Sequence, residues 1–185
     1  MSQPALKTDR LLLRPFTQDD AAAVRHLAGD ARIADTTTEI PHPYPAGAAE
    51  AWISTHGEEY AAGISAIYAI TLNDNGKVIG AIALLDISLL HARAELGYWL
   101  GVDYWSQGYC TEAAKRLLRF ADEELGISRI VACCLARNPA SARVMTKLHM
   151  QAEGRLPLHV CKNGVYEDVL LYGLSLPQRA QEVSQ

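Results

Sequence analysis

What the chain lacks narrows its function first. Seventeen Lys and Arg against 21 Asp and Glu leave a formal charge of −4, so the basic excess that a nucleic-acid backbone calls for is missing. No apolar run approaches a membrane span, and the opening residues up to Arg10 have no continuous hydrophobic stretch behind a basic start. The expectation is a cytoplasmic protein with neither a membrane nor a nucleic acid as partner. Cys110, Cys133, Cys134 and Cys161 form no CxxC pair, and His91, His149 and His159 have no metal-ligand spacing, so no metal is expected. Cys133 and Cys134 lie in an apolar run and read as core thiols. Repeats, low-complexity linkers and blocks of like charge are absent, and nothing marks a boundary. With 185 residues and 49% hydrophobic content, the chain reads as one domain over 1–185, with a core from about 8 to 176 and a short polar tail at 177–185.

What is there alternates between strand and helix patterns. Arg10 to Arg14 reads as a strand closed by Pro15. Thr17-Gln18-Asp19-Asp20 has the spacing of a helix N-cap before an Ala-rich helix that stops at Gly29. A second helix is expected from about Ala46 to Ala62. Between them, Ile40-Pro41-His42-Pro43-Tyr44-Pro45 cannot be regular structure, because proline removes donors and holds the preceding residue extended. Ser65 to Leu72 and Lys77 to Leu85 flank Asn75-Gly76 and predict a hairpin. A strand over Ala92 to Val102, an amphipathic helix from Tyr109 to Leu125, and the apolar strand Ile130 to Leu135 predict a right-handed βαβ crossover. A helix after Pro139 and a hairpin over Gln151 to Leu176 complete the order β-α-α-β-β-β-α-β-α-β-β, an α+β chain with a mixed sheet.

The most informative stretch runs from Tyr98 to Ala113. A strand leads through a short loop into a helix, so the unpaired amides of Gln107, Gly108, Tyr109, Cys110 and Thr111 point into one concavity at the positive end of the helix. Each charge-assisted amide contact is worth roughly 1.5–3 kcal/mol and the dipole about 0.3–1 kcal/mol more, enough to hold a pyrophosphate without a basic cluster. A side chain at Gly108 would obstruct that approach. Neither a Walker loop nor a dinucleotide fingerprint is present. The alternative is an ordinary helix start capped by Thr111 and Glu112.

This segment resembles motif A of the GCN5-related N-acetyltransferases (GNAT), whose Q/R-x-x-G-x-G/A consensus falls on Trp105 to Cys110. It is more similar still to the RimJ/RimL branch, whose Gly-Tyr-Trp-Leu strand, Trp-x-x-Gly-Tyr loop and Thr-Glu-Ala helix start all occur between Gly97 and Ala113. Thr8 to Arg14 resembles the opening strand of that branch, and Asn138 to Leu148 its N-x-x-S-x-x-x-x-x-K-L segment. The resemblance implies the single-domain GNAT fold with a splayed central sheet, acetyl-CoA as donor, and acetyl transfer to a primary amine. It implies that the strands around Trp99 and Leu135 diverge, with the pantetheine arm bonded to backbone groups near Leu100, Gly101 and Val102.

For the departing thiolate, the resemblance points to Ser141 as proton donor and to Asn138 as a ligand of the pantetheine arm. More distant relatives carry a tyrosine one turn beyond the serine, where this chain has Met145. The alternatives are that Asn138 only caps its helix and that Ser141 is an exposed first-turn residue. Some relatives have a strand glutamate where this chain has Cys133, which leaves Glu95 as candidate base or as an ion-paired face residue. Glu112 is assigned to the helix cap and Asp168 to the last hairpin. Where the family has Leu-Gly, Leu148-His149 implies an altered helix stop.

An α-amine, with pKa ≈ 7.7–8.0 against ≈ 10.4 for lysine, costs roughly 3.5 kcal/mol less to deprotonate at neutral pH. A weak base therefore suits a protein N-terminal α-amine, the acceptor of the best-known RimJ/RimL members, although the branch also acetylates small amines. His42 and Tyr44 are candidate walls of the acceptor pocket, and Trp52 is assigned to loop packing. A non-catalytic acetyl-CoA-binding module is the alternative function, and a homodimer stays open.

Overall fold

The computed structural model describes residues 2–177; the expected tail beyond Pro177 lies outside the described residues. Strands β1 (Leu6–Lys7) and β2 (Leu11–Arg14) lead into a 3-10 turn at Gln18–Asp20 and three helices, α1 (Ala21–Ala28), α2 (Ala31–Thr36) and α3 (Ala48–Ala61). Strands β3 (Ala66–Leu72), β4 (Val78–Ser88) and β5 (Arg93–Leu100) follow, then α4 (Tyr109–Glu123), β6 (Arg129–Leu135), α5 (Pro139–Lys147), β7 (Gln151–Lys162) and β8 (Val165–Ser175). All strands join one eight-stranded sheet in the order β1-β2-β3-β4-β5-β6-β8-β7. Every pairing is antiparallel except β5 with β6.

The predicted order holds with two additions. Strand β1 pairs with β2 through Leu6 and Leu13, and its two residues are too few to carry a pattern. Helix α2 is six residues long and starts where the Asp30 side chain accepts the Arg32 N–H at 2.9 Å; Gly29 ends α1 as expected but the chain re-enters a helix two residues later. The Thr17 capping box is present, and Arg14 grips the same Asp20 carboxylate with two bonds of 2.7 Å. Burial opposes ionisation of Asp20, but the Arg14 fork and the Thr17 N–H outweigh it and lower its pKa.

Period-2 alternation divides β3 and β4 between two apolar clusters. Tyr68, Ile70, Ile82 and Leu84 face α4, where Ala113, Ala114, Leu117, Phe120 and Ala121 are buried against them. On the other face, Ile67, Ala69, Ala81 and Ala83 meet Phe16, Val24, Ala49 and Ile53 from the α1–α3 side. Each fully buried Leu or Phe contributes about 1.5–3 kcal/mol, so the helices on both faces are held by β3 and β4, and β4 in turn pairs with β5.

The feature that positions the site is where pairing stops. β5 and β6 pair only from Arg93–Arg129 to Glu95–Val131, yet β5 continues to Leu100 and β6 to Leu135. Beyond Glu95 the two strands diverge. The Gly101 N–H donates to the Ile79 carbonyl at 2.8 Å, which puts Leu100 opposite Gly80, and Tyr98 opposite Ile82, in non-hydrogen-bonded pairs with β4. The backbone groups of Tyr98 and Leu100 therefore point into the gap.

Candidate active site

After β5 the chain makes a 3-10 turn at Val102–Tyr104, and the Trp105 indole N–H donates back to the Leu100 carbonyl at 2.8 Å. Ser106 and Gly108 then adopt φ of +62° and +82°, the left-handed region that reverses the chain into α4. Gly108 is the N-cap of α4 and offers no side-chain cap. The first-turn amides of the helix are left facing outward.

That corrects the reading of Glu112 as a cap. Its carboxylate accepts from the Thr8 hydroxyl at 2.7 Å and from the Arg10 backbone and Nε at 2.9 and 2.7 Å. Partial burial opposes ionisation, but these bonds hold the Glu112 carboxyl below its ordinary range. The Arg10 guanidinium also donates to the Gln107 carbonyl at 3.0 Å and stacks over the Tyr109 ring at 4.4 Å. The loop is thus braced from β1 and β2 by a cation that composition alone did not assign to it.

A cavity of about 400 Å³ opens between the diverging strands. Leu100, Gly108, Tyr109, Cys110, Thr111, Asn138 and Ser141, from the expected set, all line it. Gly101, Val102 and Gln107 do not: the Gly101 N–H and carbonyl bond Ile79 and the Tyr104 N–H, the Val102 carbonyl takes the Trp105 N–H, and the Gln107 side chain donates to the Asp103 carbonyl. Arg143 and Lys147, four residues apart on α5, bring two cations to the wall. Sequence reasoning missed both, although the i, i+4 spacing between them puts them on one helical face.

At the inner end, Asn138 caps α5, its Oδ1 accepting the Ser141 N–H at 3.1 Å, while its Nδ2 donates to the Thr36 carbonyl at 2.9 Å. The side chain of Asn138 is engaged within the protein, as the capping alternative has it. The Ser141 hydroxyl is 2.9 Å from the Tyr98 hydroxyl, which also donates to the Ser141 carbonyl at 3.1 Å. Burial, the largest cause, raises the Tyr98 pKa, and the phenol stays neutral. Burial likewise pushes the Cys110 thiol up to about 12. At neutral pH Cys110 is therefore a thiol and not a thiolate.

Glu95 lies apart from the cavity, in phase with Gly97 and Trp99 on the face that carries α1 to α3. The Cys133 thiol donates to its Oε1 at 3.4 Å. Burial first, then the Glu95 carboxylate, pushes Cys133 up to about 12. The thiol occupies the place where the resemblance led one to look for a second carboxylate.

His42 and Tyr44 do not line this cavity. His42 Nδ1 is 3.1 Å from the Gly29 carbonyl, and Tyr44 packs against the α1–α3 cluster. Trp52 stacks with Phe16 and His56, in keeping with a packing role. Ile33, Thr36 and Thr37 of the α2 end build part of the wall of this cavity. Lys162 Nζ holds that segment through the Thr37 and Ile40 carbonyls at 2.6 and 3.0 Å, and Arg137 pairs with Asp35 and Glu167 at 3.1 and 2.8 Å. Among the described residues no cluster of His, Cys, Asp or Glu is arranged to hold a metal, and no helix is long and apolar enough to cross a membrane.

Residues 10–151 match the family model described as the acetyltransferase (GNAT) domain. The chain is 29% identical over 178 residues to an uncharacterized N-acetyltransferase, YoaA, of Bacillus subtilis (strain 168), covering 95% of this chain and 98% of that one. Over 96 residues it is 32% identical to the ribosomal-protein-serine acetyltransferase of Escherichia coli (strain K12), 52% of this chain and 54% of the relative. The solved structure of RimL, a ribosomal L7/L12 alpha-N-protein acetyltransferase in complex with coenzyme A, superposes with a TM-score of 0.86 at 20% identity, over 95% of this chain and all of the other (100%).

Proposed function

Because the chain belongs to the GNAT family of acetyl-CoA-dependent N-acetyltransferases, we propose that its acceptor is a protein N-terminal α-amine and that the cavity between β5 and β6 receives the donor. The observation that carries this reading is the end of β5–β6 pairing at Glu95–Val131, with Ser141 at the inner end of the gap and the α4 N-terminus at its mouth.

The donor fits the residues present. Gly108, at φ +82°, clears the approach to the α4 amides, and the Cβ it lacks would lie 3.4 Å from the Arg10 guanidinium. Pyrophosphate oxygens are taken by the amides of Gly108, Tyr109, Cys110 and Thr111, with Arg143 and Lys147 as flanking cations. The pantetheine arm follows the backbone groups of Tyr98 and Leu100 that face the gap, and Ser141 protonates the sulfur as the C–S bond breaks. On the opposite face Glu95 receives the amine, directly or through water, and takes its proton.

Glu95 accepts a hydrogen bond from the neutral Cys133 thiol, and a lone carboxylate base of this kind suits an amine that is already partly neutral at pH 7. Relatives named for ribosomal-protein acetylation support the same acceptor class. The net charge of −4 favours approach of a cationic amine.

Free CoA thiol is followed with acetyl-CoA and three acceptor sets: peptides with a free α-amine, the same peptides α-blocked but carrying lysine, and small amines. The expected result is turnover on free α-amines, lost on α-blocking, with kcat/KM rising to a plateau near pH 8. Turnover only on lysine or small amines overturns the acceptor assignment.

A further inference from the structure

The chain has Met145 where a proton-donating tyrosine stands in more distant relatives, yet the gap does contain a tyrosine hydroxyl. Tyr98 comes from β5, on the opposite wall from α5. Its hydroxyl lies 2.9 Å from Ser141 Oγ and 3.1 Å from the Ser141 carbonyl, two acceptors belonging to one residue. A phenol has a single proton, so only one of these bonds is donated by Tyr98 at a time. When Tyr98 donates to the carbonyl, its oxygen is free to accept the Ser141 proton, which then points away from the cavity. When Tyr98 donates to Ser141 Oγ, the only proton of Ser141 must go elsewhere, to the Cys134 sulfur or into the cavity that Ser141 lines.

We propose that Tyr98 is a positioning residue for acetyl transfer: by moving its hydroxyl proton from the Ser141 carbonyl to Ser141 Oγ, it turns the serine proton toward the departing sulfur. The inference rests on the reading of Ser141 as proton donor. As the N–C bond forms, the nitrogen sheds one proton; the sulfur takes the C–S electron pair and the Ser141 proton. Glu95 passes the proton it took from nitrogen to solvent, Ser141 recovers one from solvent, and Tyr98 ends as it began. Tyr98 stays neutral throughout, since burial, the largest cause, raises its pKa and Cys110, Cys134 and Cys133 add to it.

Tyr98→Phe removes one oxygen and leaves the ring. Steady-state kinetics are compared for wild type, Tyr98→Phe, Ser141→Ala and the double variant, with thermal unfolding as a check of the fold. Ser141→Ala lowers kcat about 100-fold, as expected for a lost general acid, and Tyr98→Phe about 10-fold, with KM for acetyl-CoA within about twofold of wild type in both. The double variant is no slower than Ser141→Ala within about twofold, because Tyr98 acts only through the serine hydroxyl.

Tyr98→Phe at the wild-type rate beside a slow Ser141→Ala overturns the inference alone, as do multiplying penalties in the double variant. An unchanged Ser141→Ala overturns the reading of Ser141 itself. If Tyr98→Phe does not fold, 3-fluorotyrosine at position 98 keeps both bonds and donates more strongly. Its kcat then equals or exceeds that of wild type, and a fall in kcat overturns the proposal.

Discussion

Acid should unfold this protein through one residue remote from the site, His56 on α3. It is 5% exposed, and neither ring nitrogen has a hydrogen-bond partner. Its ring stands edge-on to Trp52 at 4.5 Å and Phe16 at 5.6 Å. Burial is the main cause that lowers its pKa from 6.5 to about 4, against a smaller opposing pull from Glu59. A base whose folded pKa is depressed binds its proton more readily when unfolded. Stability is therefore unaffected by this residue above pH 6.5 and falls as pH drops from 6.5 toward 4. A shift of that size corresponds to about 3 kcal/mol when complete, and most of it is lost by pH 4.5. His56→Leu removes the titration and the two unpartnered nitrogens, worth about 1–3 kcal/mol, while giving up ring contacts of about 0.5–1.5 kcal/mol each. Urea unfolding at pH 7.5, 6 and 4.5 checks the reasoning. The variant should be within about 2 kcal/mol of wild type at pH 7.5 and lose about 2–3 kcal/mol less between pH 7.5 and 4.5. Parallel acid losses in the two proteins would refute it.

Three further outcomes follow from named geometry. Gly108→Ala forces a side chain into φ +82°, costing about 1–2 kcal/mol; calorimetric binding should show CoA affinity down about tenfold, the ratio that 1.4 kcal/mol represents. Lys147→Ala and Arg143→Ala should each raise KM for acetyl-CoA several-fold with kcat unchanged, and flatten its salt dependence, because an exposed cation on a phosphate is screened; an altered kcat would contradict their placement. His149 is an exposed residue at φ +63° where α5 stops, so His149→Gly should stabilise the protein by about 1 kcal/mol in denaturant melts without altering turnover.

Sequence patterns made the sheet legible wherever a strand had to satisfy two faces at once. Ile67, Ala69 and Tyr68, Ile70 alternate between the two clusters, and Asn75-Gly76 announces their hairpin. The α4 loop was legible because a strand runs through a short loop into a helix start where Gly108 carries no side chain, and so was the irregular stop at His149. Contacts set by tertiary geometry were not legible. Tyr98 and Ser141 are 43 residues apart, and Arg10 and Glu112 are 102 apart; each pair meets only because β5 diverges from β6 and α4 crosses β2. Helix α2 escaped notice because six residues give less than two turns of periodicity. His42 and Tyr44 were chosen as acceptor-pocket walls by their chemistry; His42 lies against the Gly29 carbonyl and Tyr44 packs on the α1–α3 cluster, contacts that their sequence positions did not announce.

The overlooked helix explains how a cleft between two diverging strands keeps its shape. Pairing that stops at Glu95–Val131 leaves β5 and β6 without mutual support beyond it, and an open gap of that kind would collapse or fray unless something spans it. The end of α2 lines the gap and is tied to its β6 side: Asn138 Nδ2 bonds the Thr36 carbonyl, Lys162 the Thr37 and Ile40 carbonyls, and Arg137 the Asp35 carboxylate. These three anchors come from the start of α5, from the β7–β8 hairpin and from the turn after β6. Asn138 is at once an anchor of α2 and the cap that orients the first turn of α5 through the Ser141 N–H. The position of the Ser141 hydroxyl against Tyr98 is therefore coupled to the wall that α2 provides, and a substitution at Asn138 perturbs the cleft from both sides whether or not its side chain ever touches the donor.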